Sequence, residues 1–175
     1  EEAQHALQRA ADASPHNTLR QRMVGDVAMR NKDMLTAEKA YGKVIERSKG
    51  SSLRTVDDFA NLSRVLVERG HIDASRKIAA DMKREWRGDK QAELAALVTE
   101  SLCLHAEGAE EKARGLVDQA LALQQQAREE AAAKGRQLSQ RLTVDLAHAC
   151  YAAGKEDAAN GIMRQMAAEN HEDPH

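Results

Sequence analysis

Four short stretches sharing one pattern constrain this chain more than anything else in it. Three of them, Arg69-Gly70-His71-Ile72-Asp73-Ala74-Ser75, Glu107-Gly108-Ala109-Glu110-Glu111-Lys112-Ala113 and Ala153-Gly154-Lys155-Glu156-Asp157-Ala158-Ala159, set a glycine between two apolar-periodic runs and follow it with acidic residues. The fourth, Asn31-Lys32-Asp33-Met34-Leu35-Thr36-Ala37, keeps the pattern with Lys32 in the glycine's place. Glycine takes the left-handed conformation that ends a helix, and Asp73, Glu110, Glu111, Glu156 and Asp157 suit the positive N-terminal end of the next one. Each stretch reads as a helix-turn-helix corner. The corners, at positions 32, 70, 108 and 154, lie 38, 38 and 46 residues apart, so a helix pair recurs, which predicts a repeat architecture in place of one globular core.

Composition fits such a stack. The only aromatic residues are Tyr41, Phe59, Trp86 and Tyr151, and there are 2 prolines, so alanine, leucine, valine and methionine must fill the interior. Small side chains let helices approach closely without one large core. Lys+Arg of 26 against Asp+Glu of 28 gives a formal charge of -2, which argues against nucleic acid as a partner, because phosphate binding needs a basic surface. No apolar run approaches the ~18 residues needed to cross a bilayer, and no signal-peptide pattern opens the sequence. Cys103 and Cys150 form no secreted disulfide framework. The chain is therefore expected to be soluble and cytoplasmic. Glu1 in place of methionine points to a piece of a longer protein.

In chain order, Ala3, Leu7, Ala10 and Ala11 repeat at helical spacing and stop at Ser14-Pro15. Asn17 or Thr18 caps a helix carrying Leu19, Met23, Val24, Val27 and Ala28, and a second follows with Leu35, Ala37, Ala40, Tyr41, Val44 and Ile45. Residues 47–55 are loop-like. Thr55 or Asp57 opens a helix with Phe59, Leu62, Val65, Leu66 and Val67, and Ile72, Ala74, Ile78, Ala79 and Met82 mark its partner. Leu94 to Leu104 and Ala113 to Leu123 form the next pair. The strong helix formers of residues 124–134 predict an overrun that accounts for the longer spacing, with Gly135 either ending it or absorbed. Residues 142–153 and 156–168 form the last pair, broken by the tail from Asn170 to Pro174. The expected fold is all-α with about nine helices.

On these residues the chain resembles the tetratricopeptide family. Phe59-x2-Leu62-Ser63-x2-Leu66 is similar to the first-helix pattern of aromatic, leucine, small residue and large apolar residue. Gly25, Ser63, Ser101 and Ala147 fall at the small position, Ala37-x3-Tyr41 matches the second helix, and Ala3, Leu7, Ala10 and Pro15 match the end of a preceding unit. Ser75 and Met82 depart from alanine, and no unit has the pattern's tryptophan. The resemblance implies one domain over 1–175, a right-handed superhelical stack of antiparallel helix pairs. Its parts are the second helix of an incomplete repeat (1–15) and repeats at 18–51, 56–89, 94–137 (with an extended second helix) and 140–173. A narrower resemblance links the chain to the C-terminal tetratricopeptide region of bacterial response regulators with a CheY-like receiver domain. It rests on Ala6-Leu7-Gln8-Arg9-Ala10-Ala11-Asp12-Ala13-Ser14-Pro15-His16-Asn17, Thr36-Ala37-Glu38-Lys39-Ala40-Tyr41, Asp57-Asp58-Phe59-Ala60-Asn61-Leu62-Ser63-Arg64 and Glu169-Asn170-His171-Glu172-Asp173-Pro174. It implies an output role in two-component phosphorelay signalling.

Chemistry has few candidates. Cys103-x-His105 and His148-x-Cys150 invite a metal reading, but two residues apart on a helix is about 200° of rotation, so each pair faces opposite ways. His105 and His148 together remain as an alternative small metal or ligand site, short of the four ligands a tetrahedral ion takes. No Ser-His-Asp grouping, phosphate-cradling glycine loop or HExxH motif is present. A non-enzymatic module with no cofactor is expected.

Binding is the better supported activity. Stacked helix pairs present first-helix residues on a concave surface where a peptide or partner helix can lie. In this register the surface carries Arg22, Asp26, Met29 and Arg30, then Asn61, Arg64 and Glu68, then Thr99, Leu102 and His105, then Asp145, His148 and Tyr151. Met29, Leu102 and Tyr151 are read as exposed apolar residues amid charges, the mark of a contact surface. Only Arg22 and Asn61 resemble the two-carboxylate clamp of chaperone-binding tetratricopeptide proteins, and Asp26 has the wrong sign. Trp86 is expected to cover a gap between units, and residues 129–134 to form a solvated extension. The apolar stripe of residues 3–11, and Ile162, Met163 and Met166 at the other end, lack a covering helix, which allows a homodimer through the ends. A stand-alone scaffold for an envelope or pilus machine is the alternative binding role.

Overall fold

A computed structural model describes residues 2–14 and 17–172, and every regular element among them is a helix. The nine are α1 (Glu2–Ala13), α2 (Thr18–Arg30), α3 (Met34–Arg47), α4 (Val56–Glu68), α5 (Ile72–Glu85), α6 (Lys90–Ala106), α7 (Glu110–Ala133), α8 (Gln140–Ala152) and α9 (Glu156–Glu172). The protein is all-α, as its periodicity predicts. The breaks expected at Pro15 and Pro174 lie outside the described residues. The break expected at Asn170 does not occur, and α9 continues to Glu172.

The four corners are the same object, bond for bond. Lys32, Gly70, Gly108 and Gly154 all have positive φ, at 59°, 75°, 76° and 72°. The residue after each donates its N–H five residues back, Asp33 to Ala28, His71 to Leu66, Ala109 to Leu104 and Lys155 to Cys150, at 2.8–2.9 Å. This is the bond that satisfies a terminal carbonyl when a helix ends through a left-handed residue. The carbonyl of that same residue then accepts the first bond of the next helix, from Ala37, Ser75, Ala113 and Ala159 respectively. Only the left-handed residue separates one helix's C-cap from the residue that opens the next. Lys32 makes the turn without glycine's freedom, and Asp33 compensates by capping α3 through its side chain, which accepts from the Thr36 N–H at 3.1 Å.

Packing then follows from fixed offsets. Seven residues before each corner stand Gly25, Ser63, Ser101 and Ala147, and five residues after it Ala37, Ser75, Ala113 and Ala159; all eight are buried. These small side chains face their hairpin partners, so the helices can close together. In the second hairpin the Ser75 hydroxyl, fully buried, donates to the Ser63 carbonyl at 2.9 Å. In the first, Tyr41 fills the space that Gly25 leaves: a Cβ at position 25 would lie 2.7 Å from the tyrosine ring.

The helices gather into two compact units, Glu1–Ile78 and Ala79–His175. In the first, α1 packs on α2, α2 on α3 and α3 on α4. Its core holds Ala28, Met29, Ala37, Tyr41, Leu62, Val65 and Leu66, with a smaller cluster of Ala11, Val24 and Ala40 under Leu7. Leu19, Met23 and Leu35, read as apolar-face residues, are at least 45% exposed; Thr18 and Gln21 take their place on the buried face of α2. In the second unit α6 packs on α7 and α8, α7 on α8 and α8 on α9.

Residues 129–134 extend α7 with Glu129, Ala132, Ala133 and Lys134 exposed, but the fold also uses this stretch. Ala127 and Ala131 are buried, and the end of α7 closes over the start of α6. There Glu130 accepts the Lys90 backbone N–H at 3.1 Å and Lys134 reaches the capping carboxylate of Asp89 at 3.2 Å. A carboxylate at a helix N-terminus is favoured by the free N–H groups there. Burial pushes the Asp89 carboxyl up, but the Ala92 N–H and Lys134 outweigh it and hold it below its usual range. Gly135, at φ 65°, ends α7.

Two stability outcomes follow from the corners and their packing. A left-handed conformation costs a non-glycine residue roughly 1–2 kcal/mol, so Lys32→Gly is expected to stabilise the fold by about 1 kcal/mol and Gly70→Ala to destabilise it by about as much; urea unfolding monitored by circular dichroism reads both, and a neutral Lys32→Gly would show that the side chain contributes more than the strain. Gly25→Ala is expected to cost about 1–3 kcal/mol by overpacking against Tyr41. Gly42→Ala, where a Cβ meets nothing within 4 Å, is the control, expected to stabilise by about 0.5–1 kcal/mol.

Candidate partner-binding face

The first-helix residues read as a contact surface divide, once placed, into those the fold uses and those it leaves outward. In the first unit the pivot is Arg22. Its guanidinium grips the Asp58 carboxylate with two bonds, Nε to Oδ1 at 2.6 Å and Nη2 to Oδ2 at 2.7 Å, and Nη2 also reaches the Leu53 carbonyl. Asp58 is 2% exposed and takes a third bond from the Thr55 hydroxyl at 2.9 Å. Thr55 is the N-cap of α4, so Thr55 and Asp58 form a capping pair three residues apart. The Asp58 hydrogen bond raises the pKa of Arg22. This fork joins the first helices α2 and α4 and aligns the residues that follow on each.

Farther along α2, Asp26 is exposed and accepts the Tyr41 hydroxyl at 2.6 Å. Arg30 is exposed, whereas Met29 is not a surface residue: it is 8% exposed and belongs to the core. The α2 period carries position 29 onto the same face as Ala28, against Leu62, Val65 and Leu66. On α4, Arg64 pairs with exposed Glu68 at 3.1 Å. Asn61 is half-buried, and its Oδ1 has no hydrogen-bond partner.

The second unit sorts the same way. Thr99, Leu102 and Asp145 are buried, at 5%, 8% and 4%, so Leu102 is likewise no surface residue; α8 packs on this side of α6. His105 and His148 are exposed, with His105 Nδ1 3.0 Å from Glu110 Oε2 across the Gly108 corner. Tyr151 is 46% exposed, and its hydroxyl donates to Asn160 on α9. The outward set is therefore Asp26, Arg30, Glu68 and, half-buried, Arg64 in one unit, and His105, His148 and Tyr151 in the other.

Among the described residues no three of His, Cys, Asp and Glu gather closely enough to hold a metal ion. Cys103 and Cys150 are buried and not joined in a disulfide, and burial pushes the Cys150 thiol up, away from the reactive thiolate. Trp86 is half-buried beside a cleft with Lys83, Asp89, Glu93 and Leu97. No helix among the described residues is long and apolar enough to cross a membrane.

Asp58 and Gln21 are the consequential polar residues that the periodicity passes over. Thr55-x-x-Asp58 carries a capping signature that could have flagged Asp58. Gln21 stands at an apolar-stripe position of α2, which is itself the signal. No protein-family model matches this chain, and no curated protein matches it.

Removing Arg22 leaves a buried carboxylate with one neutral donor. Arg22→Ala is therefore expected to cost about 1–3 kcal/mol, while Arg30→Ala, on the same helix but outward, changes stability by less than about 0.5 kcal/mol; thermal unfolding compares the two, and equal costs would remove the distinction between fold-consumed and outward residues.

Proposed function

We propose that the chain is a non-enzymatic protein–protein interaction module, a tetratricopeptide-like superhelical stack serving as the output region of a receiver-containing bacterial response regulator in the cytoplasm. The observation that carries the interaction reading is the single corner geometry repeated at Lys32, Gly70, Gly108 and Gly154. Such a repeat multiplies helix pairs with outward polar residues and builds no enclosed reaction site. Exposed Tyr151 beside His148 is the kind of aromatic anchor on which binding energy concentrates. Asp26, Arg30, Arg64 and Glu68 offer alternating charge that an oppositely patterned peptide or helix can read. The phosphorelay role draws its support from the resemblance of residues 6–17, 36–41, 57–64 and 169–174 to the output regions of response regulators.

The test is a pull-down from bacterial lysate with the chain as bait beside an Arg64→Ala/His148→Ala/Tyr151→Ala variant, leaving Arg22 intact because it holds Asp58. A partner retained by the parent and weakened at least tenfold in the variant, as loss of an aromatic anchor produces, supports binding through these outward residues. Equal retention overturns it. The parent coding frame supplies the second arm: a receiver domain upstream supports the output role, and its absence in the full gene transfers the reading to an envelope or pilus scaffold.

A further inference from the structure

The first unit contains a cleft of about 320 Å³ between α1, α2 and α3, on residues that the partner-binding face does not use. At its base lies Gln21, 1% exposed, with both its Nε2 and its Oε1 buried and without a hydrogen-bond partner. A buried amide with neither donor nor acceptor satisfied is costly, because the water it loses on folding is not replaced. Position 21 falls on the buried stripe of α2, where a leucine or methionine would pack at no such cost. The cleft wall is basic. Lys39 and Lys43 line it from α3 and His5 from α1, and neither lysine forms an ion pair among the described residues. The acid in the cleft, Asp33, is already committed, accepting from the Gln4 amide at 2.7 Å and the Thr36 N–H at 3.1 Å. Hydrogen bonds from Thr36 and Gln4, and the nearby charge of Lys39, hold its carboxyl below the usual range.

We propose that this cleft binds a small organic anion carrying a primary carboxamide, the amide edge pairing with Gln21 and the carboxylate reaching Lys39 and Lys43. A primary carboxamide presents a donor and an acceptor side by side, the complement of the donor and acceptor that Gln21 leaves open. The two lysines require negative charge at the other end of the ligand and disfavour a free ammonium there. A nucleobase could also match the amide edge, but the cleft has no Phe, Tyr or Trp to stack it, only the exposed His5 ring. The volume suits an amino-acid-sized molecule, at the small end of ligand sites. This assignment is independent of the partner-binding reading and of any receiver domain.

The probe is N-acetyl-L-glutamine, which has the carboxamide and the carboxylate and lacks the ammonium. It is titrated into the ¹⁵N-labelled chain and followed by two-dimensional NMR. Saturable shifts are expected at the Gln21 side-chain NH₂ and at backbone amides of α1 and α3. Gln21→Met, which keeps the volume and removes the amide, is expected to weaken binding at least tenfold, as is Lys39→Ala/Lys43→Ala, whose residues lie on the cleft wall and leave the core untouched. N-acetyl-L-glutamate, which offers Gln21 no donor, is expected to bind at least tenfold more weakly than the carboxamide. No saturable shift at about 10 mM, weaker than a millimolar complex, overturns the proposal and leaves water as the occupant. Equal binding of N-acetyl-L-glutamate or inorganic phosphate, or binding indifferent to Gln21→Met, overturns it in favour of a plain anion site on the lysines. Should Gln21→Met lose its helical circular-dichroism signal, the lysine pair and the glutamate comparison decide alone.

Discussion

The left-handed residue at each corner is the constraint on which the rest of this structure depends. Its positive φ lets one backbone N–H reach five residues back while the carbonyl beside it begins the next helix. The end of one helix thereby fixes the start of the next, and with it which faces of the pair meet. Once that angle is set, the contact positions are dictated by counting from the corner, and only small side chains fit there. Gly25 with Tyr41 and Ser63 with Ser75 are two solutions to one spacing problem: in one a ring fills the gap, in the other a hydroxyl bonds to a carbonyl. Lys32 shows how firmly the geometry is demanded, since the turn is made there by a residue that disfavours it, with Asp33 supplying a cap in return.

Most of this was legible because helix corners are written in local residue types. Glycine flanked by two apolar periods is a backbone statement, so the helices and their order could be read before any contact was known. Gly135 was ambiguous from sequence because a run of good helix formers surrounds it, and the structure ends α7 there. What could not be read was which polar groups the fold consumes. Arg22 reads as a surface arginine, yet its partner Asp58 lies 36 residues away and is nearly fully buried. Met29 and Leu102 read as exposed because a stripe drawn from one helix does not say where the neighbouring first helix lands. Leu19, Met23 and Leu35 erred the opposite way, as apolar residues on faces that no described neighbour covers.

The end of α7 illustrates how a repeat spends an insertion. Lengthening one helix by two turns would ordinarily leave a charged arm in solvent, and its composition reads that way. Instead Ala127 and Ala131 continue the buried stripe, and Glu130 and Lys134 meet the exposed N–H groups and cap of α6. The Lys134 hydrogen bond holds the Glu130 carboxyl below its usual range, and Glu130 in turn raises the lysine. Such exposed charge pairs contribute little each. Their effect is to fix register, because only one sliding position of α7 along α6 brings an acid to the N–H groups and a base to the capping carboxylate.

The polar residues of the first helices thus serve two demands that compete for the same positions. Holding α2 to α4 takes an arginine fork on a buried carboxylate, which withdraws both from any partner. Holding Tyr41 in the core takes the Asp26 carboxylate, though that group stays exposed enough to accept a second donor. What remains outward is a sparse set of charges with one aromatic, Tyr151, and its hydroxyl is already oriented by Asn160. A tyrosine fixed in this way offers its ring face at little further entropic cost, which is what an anchor residue requires. The buried amide of Gln21 is the exception to this economy. Buried Asp58, Ser63 and Ser75 are matched within their own unit, whereas Gln21 is left with both ends open.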